Sequence, residues 1–214
     1  MLRFTSICAS VVDRHQNAAK CFSCPLFYVS PTFMQDDESI IIRQVSADDA
    51  EEIASIYAEH VRSGTASFDT VPRSAVETEQ KIAEITSKGW PFLVAARGAE
   101  VVGYAYVTQF RDRAAYSFAC EDSIYVRSDQ AGNGVGSMLM RALIVASTDC
   151  GFRQMMAVIG GGEPASVALH AKMGFEHAAR MRSVGRKFGR WLDTVYMQLE
   201  LGEGDRTPPG KEPH

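Results

Sequence analysis

The sequence predicts an α/β (α+β) fold, a single mixed β-sheet with helices packed on its faces. Three observations predict it. Short runs of strand-like apolar residues are separated by segments in which apolar residues recur at helical spacing. Two helix starts carry serine-led capping boxes, Ser46-Ala47-Asp48-Asp49 and Ser74-Ala75-Val76-Glu77. A glycine-rich turn, Ala131-Gly132-Asn133-Gly134-Val135-Gly136, joins a strand to an amphipathic helix.

Taken in order, Ile40-Ile41-Ile42 opens a short strand. Ile53, Ile56 and Tyr57 mark the first helix, and the second runs from Ser74 to near Gly89. Phe92 to Ala96 and Val101 to Gln109 read as strands joined at Arg97-Gly98, and Phe118 to Val126 as a longer strand. Val135, Leu139, Ala142, Leu143 and Ala146 form the apolar stripe of a third helix, which stops at Gly151 as a glycine C-cap predicts. Met155 to Ile159 reads as a buried strand and Ala165 to Met173 as a short helix closed by Gly174. Two last strands, Glu176 to Ser183 and Leu192 to Leu201, are expected on either side of a turn-rich Gly185 to Gly189.

This pattern occupies residues 39–201, the expected folded domain. Residues 1–38 lack sustained periodicity and read as an irregular leader: a start-site artefact before Met34, a flexible extension, or a weak organellar presequence carrying Arg3, Arg14 and Lys20. The first is favoured. Residues 202–214, rich in Gly, Pro and charge, read as a disordered tail.

Composition narrows the function. A hydrophobic fraction of 46% supports a real core. A net charge of -4 gives no electrostatic case for nucleic acid or an anionic membrane as partner. No apolar run reaches bilayer length, and Thr5, Ser6 and Ser10 interrupt the one candidate signal-peptide core. The expectation is a soluble, cytoplasmic protein. Of five cysteines, Cys21 and Cys24 form a lone C-x-x-C without the second ligand pair that a zinc site wants. No metal is expected, and Cys120 reads as a small core residue.

The chemistry begins at the glycine turn. Glycines let backbone approach a phosphate closely, and the first amides of a helix are free to bind it. A Walker A loop is excluded, because Gly136 and not lysine precedes Ser137. A dinucleotide fingerprint is excluded by the two-residue spacing of Gly132, Gly134 and Gly136. Alone, the turn leaves open a phosphate site or a tight connection without ligand.

An ordered set of segments decides more. Glu121-Asp122-Ser123-Ile124-Tyr125-Val126, the turn through Ser137, and Ser166-Val167-Ala168-Leu169-His170-Ala171-Lys172-Met173-Gly174-Phe175 resemble the GNAT superfamily of acetyltransferases. Ser67-Phe68, Arg113-Ala114-Ala115-Tyr116, Ala157-Val158-Ile159-Gly160 and Gly189-Arg190-Trp191-Leu192-Asp193 extend the likeness to its phosphinothricin and methionine sulfoximine branch. It covers roughly residues 40 to 201.

The resemblance implies a splayed pair of parallel central strands and direct transfer of acetyl from acetyl-CoA to an amine. It implies that Ile124, Tyr125 and Val126 pair with pantetheine, and that Gly132, Asn133, Gly134, Val135, Gly136 and Ser137 hold pyrophosphate, with Glu163 and Ser166 opposite. Glu121 would be the base, its pKa raised by half-burial, and His170 the acid for the leaving thiolate. Arg111 and Arg113 would grip a carboxylate or phosphinate, with Phe68 and Tyr116 walling the pocket. A homodimer is expected from the branch.

Two positions depart from the family pattern. Ala131 stands where glutamine or arginine is usual, with Gln130 one residue earlier, and Glu163 stands where asparagine is usual. Ala131 forgoes a side-chain contact to the phosphates but keeps the backbone amides that do most of the binding. Glu163 is expected to weaken or rearrange coenzyme binding. The rival readings are an N-acetyltransferase for another amine, such as a polyamine or a protein N-terminus, and a non-catalytic acyl-CoA-binding module.

Overall fold

The computed structural model of the chain describes residues 39–210. The leader 1–38, with Cys8, Cys21 and Cys24, and residues 211–214 lie outside the described residues. Seven strands form one sheet: β1 (Ile40–Gln44), β2 (Phe92–Arg97), β3 (Glu100–Gln109), β4 (Ala119–Val126), β5 (Gln154–Gly160), β6 (Glu176–Lys187) and β7 (Arg190–Glu200). Their spatial order is β1-β2-β3-β4-β5-β7-β6. All neighbouring pairs are antiparallel except β4 and β5 at the centre.

The helices are α1 (Ala50–Ser63), α2 (Ala75–Ser87), α3 (Val135–Asp149) and α4 (Pro164–Lys172). Strand alternation divides the core between the two faces of the sheet. On one face Ile53, Tyr57 and Val61 of α1 and Ile82 and Ile85 of α2 pack on Phe92, Val94, Tyr104 and Tyr106. On the other, Leu139, Met140 and Leu143 of α3 pack on Leu93, Ala95, Cys120, Met155 and Ala157. Both faces of β2 are covered, which is why its sequence is apolar without alternation.

Local chemistry sets the helix starts. At α2 the Ser74 hydroxyl accepts the Glu77 amide at 3.3 Å, and the Glu77 carboxylate accepts the Ser74 amide at 2.8 Å. Before α1 a 3-10 turn spans Ala47–Asp49. There the buried Asp49 carboxylate accepts the Ser46 amide at 2.7 Å and two Arg43 donors at 2.7 Å each. Among the described residues no helix is long and apolar enough to cross a membrane.

The last hairpin differs from the expected pair of strands around a loop. β6 does not stop at Ser183 but runs to Lys187, with only Phe188 and Gly189 turning at φ 50° and 72°. Its register against β7 shifts twice, between His177 and Ala179 and, in a wider bulge, between Met181 and Gly185. Ser183 sits there at φ 53°, and its amide donates to Asp193 Oδ1 at 2.9 Å. Residues 202–210, expected to lie in a disordered tail, form turns. Gly204 N–H donates to the Leu201 carbonyl at 2.9 Å, and Arg206 pairs with Glu200.

Candidate active site

β4 and β5 pair from Ala119–Gln154 only as far as Glu121–Met156. Beyond that point β4 stays with β3 and β5 with β7, so a gap opens between them. Arg127 N–H donates to Val102 O at 3.0 Å. Antiparallel alternation then turns the N–H and C=O groups of Ile124 and Val126 away from β3 and into the gap. A cleft of about 600 Å3 follows this bare strand edge.

One end of the cleft is the glycine turn. Gly134 is the N-cap of α3, in the left-handed region at φ 83°. The first amide to reach a helical carbonyl is that of Met138, on Gly134 O at 3.1 Å. The amides of Val135, Gly136 and Ser137 therefore remain free donors at the positive end of a 15-residue helix. All three residues line the cleft, with Gly132 and Gly134. Asn133 does not join them: it is exposed, and its N–H is spent on Gln130 O at 3.3 Å. A Cβ on Gly134 would meet nothing within 4 Å, so substitution there costs only backbone strain. Gly134→Ala is expected to lose about 1 kcal/mol of stability and to raise KM for the coenzyme, read by thermal melting and steady-state kinetics.

The two departures now have places. Ala131 is exposed at the cleft wall, and the neighbouring Gln130 is buried, accepting from Arg97 Nη2 at 2.9 Å. Gln130 is thus committed to the fold. Glu163 lines the cleft as the N-cap of α4, and its side chain makes no capping hydrogen bond to that helix. Ala165, Ser166 and Leu169 complete the wall.

A smaller pocket of about 190 Å3 adjoins the cleft and shares Ile124, Tyr125 and Ser166 with it. Glu121 lines it. Its side chain is 32% exposed, and Arg111 Nη1 lies 3.8 Å away. Burial raises the Glu121 pKa to about 6, with Arg111 opposing and Asp122 adding to the rise. A carboxyl poised there exchanges protons near neutral pH.

His170 also lines this pocket, but from the face of the sheet opposite Glu121, and it is 2% exposed. Its Nδ1 lies 2.7 Å from the Ser166 carbonyl and its Nε2 3.0 Å from Asp122 Oδ2. Burial lowers its pKa, yet the bond to Asp122, the charge of Asp122 and the Ser166 carbonyl together push it higher, for a net rise. Both ring nitrogens are occupied. The geometry does not present the free N–H expected of a thiolate acid.

The expected substrate residues are only partly gathered. Arg111 stands near Glu121, its guanidinium 4.0 Å over the Phe110 ring. Phe68 packs against Gly160 and Gly185, where any Cβ would collide with its ring. Arg113 caps a 3-10 turn that contains Tyr116, and Tyr116 stands edge-on to Phe110 at 6.0 Å. Both are exposed, and neither lines the pocket with Glu121.

Three residues of the site escaped the sequence reading. His60, set aside there, lines the cleft and bonds through Nε2 to the Val126 carbonyl at 2.8 Å. Its signal was position, three residues after Tyr57 on the buried stripe of α1. Asp122 holds His170. Lys187 is 5% exposed and donates to the carbonyls of Gly64 and Ser67 at 2.9 and 2.8 Å. It thereby ties the last hairpin to the loop that lines the cleft through Gly64, Thr65 and Ala66.

Bare strand backbone beside unpaired helix-start amides is a donor set for a chain that carries both peptide-like amides and a pyrophosphate. Comparison with known proteins agrees. Residues 42–196 match the family described as the acetyltransferase (GNAT) domain. The chain is 47% identical over 169 residues to the phosphinothricin N-acetyltransferase of Alcaligenes faecalis, covering 78% of this chain and 86% of that one. It is 38% identical over 164 residues to the L-methionine sulfoximine/L-methionine sulfone acetyltransferase of Pseudomonas paraeruginosa, covering 76% and 95%. The crystal structure of a phosphinothricin acetyltransferase from Sinorhizobium meliloti in complex with acetyl-CoA superposes with a TM-score of 0.78 at 44% identity, covering 82% of this chain and 95% of that one. With splayed central strands, free amides at α3 and these likenesses over most of its length, the chain belongs to the GNAT acetyltransferase family.

Proposed function

We propose that this enzyme transfers acetyl directly from acetyl-CoA to the α-amino group of a small amino acid of the phosphinothricin or methionine sulfoximine type. The observation that carries this reading is the junction of the two cavities. The bare edge of β4 leads from the helix-start amides straight to Glu121. The relatives named above carry those substrates in their names.

Acetyl-CoA supplies the activated acetyl group when bound. The amides of Val135, Gly136 and Ser137 suit its pyrophosphate, and the backbone of Ile124 and Val126 suits its pantetheine amides. The β4 amides that face the gap polarise an acceptor carbonyl placed against them. Glu121 removes a proton from the incoming ammonium, directly or through one water, which its pKa of about 6 permits at neutral pH. Arg111, beside Glu121, offers a guanidinium fork to the carboxylate of an amino acid.

Arg111 separates amino acids from other amines. Arg111→Ala is expected to raise KM for carboxylate-bearing substrates by roughly tenfold or more while leaving uncharged amines unaffected. Equal losses on both would contradict the assignment. Turnover of polyamines alone would favour the alternative acceptor, and coenzyme binding without turnover would favour a binding module.

The same reading includes a homodimer. What supports it is β6, the edge strand: Glu176 to Val184 are exposed, and Met181, Val184, Phe188 and Trp191 offer apolar surface on the last hairpin. Sedimentation is expected to give a dimer at micromolar concentration, and Val184→Asp a monomer. A monomeric wild-type protein would refute this. A cytoplasmic location is part of the reading, and the free thiols of Cys120 and Cys150 suit a reducing compartment.

A further inference from the structure

We infer that Asp122 is a positioning residue which holds His170 as an imidazolium, fixing a positive charge in the seam between β4 and α4 where the acyl-bearing end of the coenzyme meets Glu121. The inference rests on the acetyl-transfer reading for its purpose, and on geometry for its substance. A backbone carbonyl can only accept, so Nδ1, 2.7 Å from Ser166 O, carries a proton. Opposite Nε2, at 3.0 Å, stands a carboxylate oxygen. One proton lies between them, and the ring keeps it as the second N–H. The His170 side chain and that of Asp122 are each only 2% exposed, so water does not screen the charge.

The surroundings leave Asp122 as the group that sets this state. β5 contributes Ala157, Val158 and Ile159 to the pocket, and the loop after α1 contributes Ala66 and Ser67, none of them ionisable near neutrality. Phe175 presents its ring edge-on to His170 at 4.9 Å. The Ser166 hydroxyl, 3.4 Å from Nδ1, is a second neutral partner. On β4, Cys120 is a buried thiol whose pKa burial raises beyond the neutral range. Glu121 lines the same pocket but, one residue along β4 from Asp122, projects from the other face of the sheet, the face that carries Tyr125. The second oxygen of Asp122, Oδ1, is buried without a hydrogen-bond partner among the described residues. It stands ready to accept from a donor that enters the pocket.

The consequence is a division of labour. Glu121 is the group whose proton moves. His170 keeps both protons to higher pH than an ordinary histidine and stabilises the negative charge that appears on the departing sulfur. A histidine ordinarily loses its proton near pH 6.5. Held by Asp122, His170 keeps it above that point, so kcat rises through about pH 6 as Glu121 ionises and falls only at higher pH, where His170 gives up its proton. With Asp122→Asn the carboxylate is gone, and burial acts on the ring against the Ser166 carbonyl alone. His170 then turns neutral at lower pH than in the wild-type protein, and log kcat is expected to fall with a slope of about -1 per pH unit above that point.

Two measurements test this on the full chain. Nitrogen-15 NMR of the imidazoles in the wild-type protein, without coenzyme, should show both His170 nitrogens predominantly protonated at about pH 6.5, where an ordinary histidine is half deprotonated. A single neutral tautomer would overturn the proposal. In the pH profile of kcat, the descending limb should appear at lower pH for Asp122→Asn than for the wild type. A profile parallel to that of the wild type would mean that Asp122 is structural only, and would also overturn it. If Asp122→Asn does not fold, the wild-type NMR result decides. Absence of acetyl transfer by the wild-type protein would sink the functional reading, while the NMR measurement would still judge the pair.

Discussion

Glu121→Gln is expected to lower kcat by about 10² to 10⁴ and, at the same time, to stabilise the protein at pH 8. The two effects have one cause. Glu121 is pressed into a pocket that disfavours its charge, and its pKa moves from 4.5 to about 6. The folded protein therefore binds this proton more tightly than the unfolded chain does. Its contribution to stability is fully present below pH 4.5 and is lost as pH rises through 6. The shift corresponds to about 2 kcal/mol for a fully shielded group. With a third of the side chain exposed, about half of that survives solvent screening. A neutral glutamine removes the penalty, so the melting temperature at pH 8 should rise by about 2–4 °C, with little change at pH 4. Activity that persists in the variant would remove Glu121 as the base. An unchanged melting temperature at pH 8 would mean that the pocket does not strain it.

Lys187→Met should act in the opposite sense and at longer range. The ammonium is buried at the end of β6 and bonded to two carbonyls of the loop that follows α1. Burial pulls its pKa below the usual lysine value, with Asp69 opposing. The methionine chain fills similar space but donates nothing, and each carbonyl left buried and unpaired costs about 1–3 kcal/mol. A loss of about 2–4 kcal/mol is expected in chemical denaturation. The loop carries Gly64, Thr65 and Ala66 at the cleft wall, so KM for acetyl-CoA should rise more than KM for the amine. The same loop lies so close to β5 that a Cβ on Gly160 would sit 2.7 Å from the Thr65 carbonyl. Loss of stability without a change in coenzyme KM would show that the tie does not shape the cleft.

Much of this architecture was legible in the residues. The apolar stripe of α3, the serine boxes and the apolar runs of β2 and β3 are local signals, and local packing obeys them. Position alone predicted Glu121 on the Tyr125 side of the strand, because side chains alternate along β4. What local pattern cannot report is pairing across the chain. Asp122 and His170 are 48 residues apart, and nothing near either announces the other. Lys187 bonds to carbonyls more than a hundred residues away, and Gly185 looked like a turn glycine. In the structure Gly185 belongs to a strand, and its missing side chain leaves room for the Phe68 ring. The same blindness affected His170. Its place in the sequence suggested an acid with a free nitrogen, whereas its partners come from Ser166 one turn away and from Asp122 on β4, 48 residues earlier in the chain.

The central claim is that the bare edge of β4 and Glu121 together acetylate the amine of a small amino acid. The most direct measurement is mass spectrometry of phosphinothricin and methionine sulfoximine incubated with the purified protein and acetyl-CoA, with free thiol followed in parallel. The expected result is one acetyl group gained on the α-amine of either compound for each thiol released, and a marked loss of both signals in Glu121→Gln. Binding of coenzyme A with neither compound acetylated would contradict the account.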